Sequence, residues 1–171
     1  MKSIFLNGTV GVGKSTAAEN LGCLLVVRST PHAIIDLDSI RQFWPAPMED
    51  KFNLEIELLN LSKLAVNYQR AGAQFLIIAG VIENRDALMR YRKALNNGQL
   101  YVCRLTAAPE ILQQRLKRRH TSDEEGLEWH LQRSAELNII LVEAGLDDSV
   151  VDTSTLSPQE VAGRILASTI L

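Results

Sequence analysis

The chain has 171 residues, of which 46% are hydrophobic and 22% are charged, with a formal net charge of -2. This composition is typical of a soluble globular protein, and the length predicts a single domain over residues 1–171. The nearly balanced charge gives no electrostatic basis for binding nucleic acid or a membrane. A small molecule is therefore the expected partner.

Neither the start of the chain nor any apolar segment predicts export or membrane insertion. The first residues lack the pattern of a signal peptide, and no apolar run approaches the ~18 residues that span a bilayer. The two cysteines, Cys23 and Cys103, occur in no metal-binding or disulfide pattern. We expect a cytoplasmic protein with reduced thiols, and the sequence leaves open whether it is a monomer or a homodimer.

The first motif in chain order is Gly-Thr-Val-Gly-Val-Gly-Lys-Ser at residues 8–15. It fits Gly-x-x-x-x-Gly-Lys-Ser/Thr, the phosphate-binding loop. An apolar segment of strand length precedes it at residues 2–7, and a helix-compatible segment follows at residues 16–21. Because strand, loop and helix agree, a glycine-rich turn that binds no ligand is the weaker alternative.

The residue types in this loop explain its expected chemistry. Glycines without a Cβ let backbone N–H groups turn inward around a phosphate, and the following helix N-terminus attracts negative charge. Lys14 is expected to contact the β and γ phosphates as a catalytic residue, and Ser15 to bind the Mg²⁺ that bridges them. The residues expected to bind ATP are Gly8, Thr9, Gly11, Val12, Gly13, Lys14, Ser15 and Thr16.

The second predicted strand, residues 33–38, ends in two carboxylates, Asp36 and Asp38. Ligands of α/β proteins bind at the carboxyl ends of strands, and residues two apart share one side of a strand. One carboxylate is expected to accept a proton from a hydroxyl nucleophile, and the other to assist Mg²⁺. Asp38 is favoured as the base and Asp36 as the metal ligand; the alternative is that Asp38 only caps a helix that begins at Ser39. Arg41 is expected to bind an acidic group of the substrate.

Further strands and helices alternate along the rest of the chain, which predicts an α/β fold with a parallel sheet. The predicted helices cover residues 39–43, 48–70, 85–95, 109–119, 127–144 and a segment from 158, and the strands cover 74–80, 100–105 and 149–152. The third strand ends in Ala79 and Gly80, where many nucleotide hydrolases have an aspartate that orders Mg²⁺. Glu83 and Arg85 follow at the same sheet edge and are expected to contact the substrate; a solvated loop is the alternative.

A dense basic run precedes a polar segment in the second half of the chain. Arg115 and Arg119 lie one helical turn apart on one face, and the segment from about residue 119 to 127 is expected to form a mobile lid. Arg133 on the next helix is expected to face back across it. When the lid closes, the guanidinium groups of Arg119 and Arg133 would neutralise the charge of the transferring phosphoryl group, and the closed lid would exclude water. A basic surface helix is the alternative.

The order of these motifs resembles the small P-loop kinases of the nucleoside-monophosphate-kinase type. The resemblance rests on Leu6-Asn7-Gly8 with Gly13-Lys14-Ser15, on residues 36–41, on the arginine-rich lid, and on Val151-Asp152-Thr153 after the last strand. The most similar branches are the adenylylsulfate kinases and the chloramphenicol phosphotransferases. The resemblance implies a three-layer P-loop NTPase fold with a five-stranded parallel sheet in the order 2-3-1-4-5 and a small helical lid.

The resemblance also implies MgATP as donor, transfer of its γ-phosphoryl group to a hydroxyl, and a role for particular residues. Asp38 matches the hydroxyl-activating aspartate of chloramphenicol phosphotransferase, Arg115 an arginine near the adenine, and Arg119 one that reaches the phosphates. Asp152 and Thr153 would lie beside the first loop and contact the adenine.

Two differences between this sequence and the motifs of known kinases narrow the choice of phosphoryl acceptor. The Asp-Gly-Phe/Tyr-Pro-Arg sequence of adenylate kinases is absent after the third strand, and residues 81–85 replace the Ser-Pro-x-Arg of adenylylsulfate kinases. We therefore expect an ATP-dependent phosphotransferase that acts on a hydroxyl of a small metabolite or antibiotic. An adenylylsulfate or nucleotide kinase, and an ATP-binding regulatory protein without small-molecule kinase activity, are the alternatives.

Overall fold

Strands and helices alternate along the chain, as the apolar segments of the sequence predict. The computed structural model describes residues 1–169. Its strands are β1 (Lys2–Gly8), β2 (His32–Asp36), β3 (Phe75–Ala79), β4 (Leu100–Thr106) and β5 (Ser149–Asp152). Its helices are α1 (Lys14–Val27), α2 (Leu37–Ile40), α3 (Leu54–Arg70), α4 (Arg85–Ala94), α5 (Pro109–Arg119), α6 (Glu124–Ala144) and α7 (Pro158–Thr169).

The five strands form one parallel sheet in the order β2-β3-β1-β4-β5. This confirms the predicted P-loop NTPase fold and its strand order. Leu6 in the central strand pairs with Ala79 of β3 on one side and with Cys103 of β4 on the other. The carboxyl edge of the sheet is therefore divided by β1 into a β2–β3 half and a β4–β5 half, and the crevice between them is where ligands bind in such folds.

Two apolar layers cover the sheet. Leu6 belongs to the layer that α1 and α7 complete, with Leu21 and Ile165 fully buried in it. Phe5 points to the other layer, which is completed by α3 and α4, and its ring meets the ring of Tyr91 edge-on at 5.1 Å. β1 is buried on both faces, as the consecutive apolar residues Ile4, Phe5 and Leu6 at its centre require. Within residues 1–169, no helix is long and apolar enough to span a membrane.

Both α2 and α3 begin at positions that differ from the prediction, because carboxylates accept their first N–H groups. β2 ends at Asp36 and α2 begins at Leu37, since the Asp36 carboxylate accepts the N–H of Asp38 at 3.0 Å. Asp36, and not Asp38, is therefore the capping residue. α3 begins at Leu54, six residues after the predicted start, since the Asp50 carboxylate accepts the N–H of Leu54 at 2.8 Å.

The segment predicted as the lid is shorter than expected. α5 ends at Arg119 and α6 begins at Glu124, so only residues 120–123 connect the two helices. The Asp123 carboxylate accepts the N–H of Gly126 at 2.9 Å, which starts α6 three residues before the predicted position. The arginines on either side of this connection therefore belong to regular helices.

The packing directly after β3 leaves no room for a side chain at Gly80. A Cβ at Gly80 would overlap Cδ1 of Leu37 and lie 3.0 Å from Cζ of Phe5. Both neighbours are fully buried, with exposures of 1% for Leu37 and 0% for Phe5. A side chain at position 80 would therefore displace the core, so this position cannot hold an aspartate without rearrangement of its neighbours.

We predict that Gly80→Ala lowers the free energy of unfolding by about 1–3 kcal/mol, because the added methyl group overpacks a filled site. Gly163→Ala is the matched control, since a Cβ at this position in α7 meets nothing within 4 Å. It should raise the unfolding free energy by about 0.5–1 kcal/mol through helix propensity. Urea unfolding of both variants measures these changes in unfolding free energy. A Gly80→Ala protein as stable as the parent would show that the site has room for a methyl group.

Candidate active site

The loop between β1 and α1 has the backbone of an anion cradle. Gly11 and Gly13 adopt positive φ values of 81° and 99°. Gly13 is the N-cap residue of α1 and offers no side-chain cap, so the first amides of the helix remain available to a ligand. A Cβ at Gly13 would meet no atom within 4 Å, which shows open space on the inner side of the loop.

Two predicted loop residues hold this cradle in place. A Cβ at Gly8 would lie 2.7 Å from the carbonyl oxygen of Leu105, so the loop and β4 approach too closely for any side chain. Thr9 is buried, and its hydroxyl donates to the Ser134 carbonyl on α6 at 2.7 Å. Both residues therefore fix the loop from behind, while residues 11–16 line the cavity in front of it.

The Lys14 ammonium folds back over its own loop. Nζ donates to the carbonyl oxygens of Gly8 at 2.9 Å and Thr9 at 3.0 Å. Burial lowers the pKa of Lys14 to about 8, against the opposing attraction of Asp38 and Asp36. The group remains mostly protonated at pH 7, so it presents a poorly solvated positive charge to an anion.

Ser15 and Asp36 come together where a bridging metal would be needed. The Ser15 hydroxyl donates to Oδ2 of Asp36 at 2.6 Å, across the gap between α1 and β2. A hydroxyl and a carboxylate are hard oxygen ligands, and Mg²⁺ commonly takes one or two such protein ligands beside water and phosphate oxygens. This pair fits Mg²⁺ even though residues 1–169 contain no cluster of three or more His, Cys, Asp or Glu side chains suited to a metal.

Asp38 is held by a chain of charged groups that leads into the protein. Its carboxylate pairs with Arg41, and the other arm of that guanidinium lies 3.4 Å from Oε2 of Glu57. The Tyr91 hydroxyl donates to the second oxygen of Glu57. Burial raises the pKa of Glu57 and that of Tyr91. Arg41 therefore lies between one carboxylate in the cavity and another inside the fold.

Glu57 and Tyr91 are not among the residues that the sequence predicts for the site. Glu57 lies on α3 one turn before Leu61, and both side chains are fully buried with exposures of 0%. An acidic residue on the apolar face of a helix was the available signal, because it requires a partner. The pairing favours a role for Arg41 in holding Asp38, whereas binding of an acidic substrate group by Arg41 stays a prediction.

Arg115 ties the phosphate loop to the residues that follow β5. Its guanidinium donates to the carbonyl of Val12 at 3.2 Å and to the carbonyl of Thr153 at 2.8 Å. Thr153 is buried and lines the cavity, and its contact with a nucleotide stays a prediction. Asp152 does not line it: its carboxylate accepts the Ser154 hydroxyl at 2.6 Å, and these bonds from Ser154 lower the pKa of Asp152.

Arg133 reaches from α6 to the β2–β3 half of the site. It donates to Glu83 at 2.5 Å and to Glu136 at 2.7 Å, and its guanidinium lies 5.3 Å from the centre of the Phe52 ring. Glu83 thus meets Arg133 at the predicted sheet edge. Arg85, the first residue of α4, lies outside the cavity.

One cavity of about 1040 Å³ gathers most of the predicted residues at the carboxyl edge of the sheet. Those that line it are Gly11, Val12, Gly13, Lys14, Ser15, Thr16, Asp36, Asp38, Arg41, Glu83, Arg115, Arg119, Arg133 and Thr153. A volume of this size is large enough for a nucleotide and a second small molecule. The arrangement places the phosphate loop, the Ser15–Asp36 pair, the Asp38 carboxylate and the arginines around one space.

The profile of a protein family described as AAA domain matches residues 4–136. The chain belongs to this AAA-domain family. The matched range begins in β1 and ends in α6, so it includes the loop, the aspartates and the arginines of the cavity. A search of curated proteins found no match.

Solved structures share the fold of this AAA-domain protein. The Deinococcus radiodurans tunicamycin resistance protein is 20% identical, with a TM-score of 0.69 and coverage of 99% of this chain and 96% of that one. A shikimate kinase from Acinetobacter baumannii, in complex with shikimate, is 19% identical, with a TM-score of 0.66 and coverage of 100% and 96%. A gluconokinase from Sinorhizobium meliloti is 18% identical, with a TM-score of 0.65 and coverage of 98% and 90%. The resemblance to small P-loop kinases is thus confirmed at the level of fold.

We predict that Lys14→Met abolishes nucleotide binding and raises the unfolding free energy of the ligand-free protein by about 1–3 kcal/mol. The folded-state pKa of Lys14 is lowered to about 8 from 10.5, so below pH 8 the folded state bears the cost of a buried charge. That cost disappears as the pH rises from about 8 to 10.5, and the advantage of the variant should shrink over the same range. Chemical unfolding of the variant and the parent at several pH values measures this difference in unfolding free energy.

Lys63→Met is the matched control, because Lys63 lies exposed on α3 outside the cavity. It should change neither nucleotide binding nor the pH dependence of stability. A Lys14→Met protein that is less stable than the parent at pH 7 would show that the contacts of Nζ with the loop carbonyls outweigh the cost of desolvation.

Proposed function

We propose that this protein is a phosphotransferase that moves the γ-phosphoryl group of MgATP to a hydroxyl of a small molecule. One observation carries the proposal: Asp38 lines the same cavity as the phosphate loop and the Ser15–Asp36 pair. A base, a metal-binding pair and a phosphate cradle around one space are the parts that phosphoryl transfer to a hydroxyl requires. Two of the three similar structures are named kinases, which supports this function class.

The β4–β5 half of the site is the proposed nucleotide side. The amides at the start of α1 and the Lys14 ammonium would bind the phosphates, and Ser15 with Asp36 would hold Mg²⁺. Bound MgATP would supply the phosphoryl group and, through the metal, charge neutralisation at its oxygens. Arg115 and Thr153 already connect the loop to the end of β5. The adenine of the nucleotide could therefore bind in this half with little rearrangement.

Asp38 is the proposed general base on the β2–β3 half. Its carboxylate would accept the proton of the acceptor hydroxyl, and Arg41 holds it at the cavity wall through their ion pair. Arg119 and Arg133 also line the cavity and would place positive charge near the transferring group. Because the transition state is loose, such positioning and charge neutralisation provide most of the catalysis.

The proposed location is the cytoplasm. Cys23, which is exposed, and Cys103, which is buried, are free thiols, as expected in a reducing compartment.

A thermal-shift screen of hydroxyl compounds with Mg²⁺ and a non-hydrolysable ATP analogue is the first experiment. A compound that binds the folded state raises the melting temperature. The selected compound should then stimulate formation of ADP from ATP and become phosphorylated, which mass spectrometry detects. Nucleotide binding without turnover of any compound would instead favour an ATP-binding regulatory protein.

We predict that Asp38→Asn lowers kcat for this acceptor by about 10²–10⁴-fold, because the amide cannot accept the proton. The affinity for the ATP analogue should stay nearly unchanged, since Asp38 would contact the acceptor. Asp86→Asn, an exposed position on α4 outside the cavity, is the matched control and should retain full activity. Unchanged kcat in Asp38→Asn would exclude Asp38 as the base.

A further inference from the structure

The β2–β3 half of the cavity has an apolar wall. Phe52 and Met48 come from the connection between α2 and α3, and Trp129 comes from α6. These side chains are unusually exposed for their size, at 49% for Phe52, 90% for Met48 and 51% for Trp129. Trp129 and Arg133 lie four residues apart on one face of α6, and the Arg133 guanidinium is stacked over Phe52.

The same half is rich in acidic groups. Asp36, Asp38, Glu49, Asp50 and Glu83 line it. Asp38 and Glu83 are paired with arginines, and Asp50 caps α3. An anionic acceptor bound beside these side chains would add a further negative charge to a group of five carboxylates.

The arginines on this half are already engaged by protein carboxylates. Arg41 is shared between Asp38 and the buried Glu57, and Arg133 between Glu83 and Glu136. Of the other basic side chains that line the cavity, Lys14, Arg115 and Arg119 belong to α1 and α5, and Lys51 is exposed on the connection between α2 and α3. Neither arginine can neutralise a substrate carboxylate without leaving a protein carboxylate unpaired, and for Glu57 that carboxylate is buried.

We propose that the acceptor is an uncharged or amine-bearing hydroxyl compound with an apolar body that packs between Phe52 and Trp129. This inference rests on the proposed phosphotransferase function, because it concerns the acceptor side of that site. Apolar contact supplies the affinity, and the carboxylates of this half accept hydrogen bonds from the hydroxyl and any amine. Hydroxy acids and small polyols lack one or both of these features.

Four matched probes test the inference. They are 3-phenylpropane-1,2-diol, phenylalaninol, 3-phenyllactate and glycerol, which share a three-carbon backbone with at least one alcohol hydroxyl. The first three carry a phenyl ring and are neutral, positively charged and negatively charged in that order, and glycerol is neutral and has no ring. Each is added at the same millimolar concentration to the protein with Mg²⁺ and a non-hydrolysable ATP analogue. We expect the diol and phenylalaninol to raise the melting temperature by about 2–4 °C, and phenyllactate and glycerol by less than half as much.

Phe52→Ala and Phe43→Ala identify the surface involved. Phe43 belongs to the same connection but does not line the cavity, and it is 58% exposed. Phe52→Ala should weaken binding of the diol by about five- to tenfold, and Phe43→Ala by less than about twofold. Phe52→Leu keeps apolar area at this position and should recover most of the lost affinity.

A larger shift with phenyllactate or glycerol than with the diol, or no shift with any probe, would overturn the inference. The shift produced by Mg²⁺ and the ATP analogue alone separates this outcome from failure of the proposed function. If the nucleotide stabilises the protein and the probes fail, the acceptor class is wrong while the phosphotransferase remains. If Mg²⁺ and the ATP analogue alone give no shift, the protein does not bind the nucleotide and the proposed phosphotransferase function is itself wrong.

Discussion

The hydrogen bond between Ser15 and Asp36 is the contact on which the geometry of the site depends. It joins the first turn of α1, which follows the central strand, to the end of β2, two strands away in the sheet. The same Asp36 carboxylate caps α2 with its other oxygen, so it also fixes the direction in which the chain leaves the sheet. Asp38 reaches the cavity because of this turn, although the strand that was expected to present it stops at Asp36.

Local patterns predicted most of the fold and the phosphate-loop residues that line the cavity. The loop sequence, the apolar strands and the helix spacing are properties of short segments, and the parallel sheet follows from their alternation. The strand order came from the resemblance of the motifs to a known family of kinases. The loop residues that line the cavity were thus identified before any tertiary contact was known.

The contacts that organise the β2–β3 half of the cavity could not be predicted in this way, because they join distant segments of the chain. Tyr91 meets Glu57 across 34 positions, and Arg133 meets Glu83 across 50. A carboxylate in a sequence does not show which cation it will pair with, and this pairing decides whether Arg41 is free for a ligand. The prediction that Asp152 contacts the nucleotide likewise could not anticipate its hydrogen bonds to Ser154.

The hydrogen bonds between the loop and α6 have a thermodynamic consequence. Thr9 donates to the Ser134 carbonyl, and the Ser134 hydroxyl donates to the carbonyl of Val10, so the back of the phosphate cradle is attached to the helix that carries Trp129 and Arg133. A ligand that displaces this helix strains the cradle, and occupation of the cradle restrains the helix. Such coupling is reciprocal, so each of two bound molecules alters the affinity for the other by the same factor.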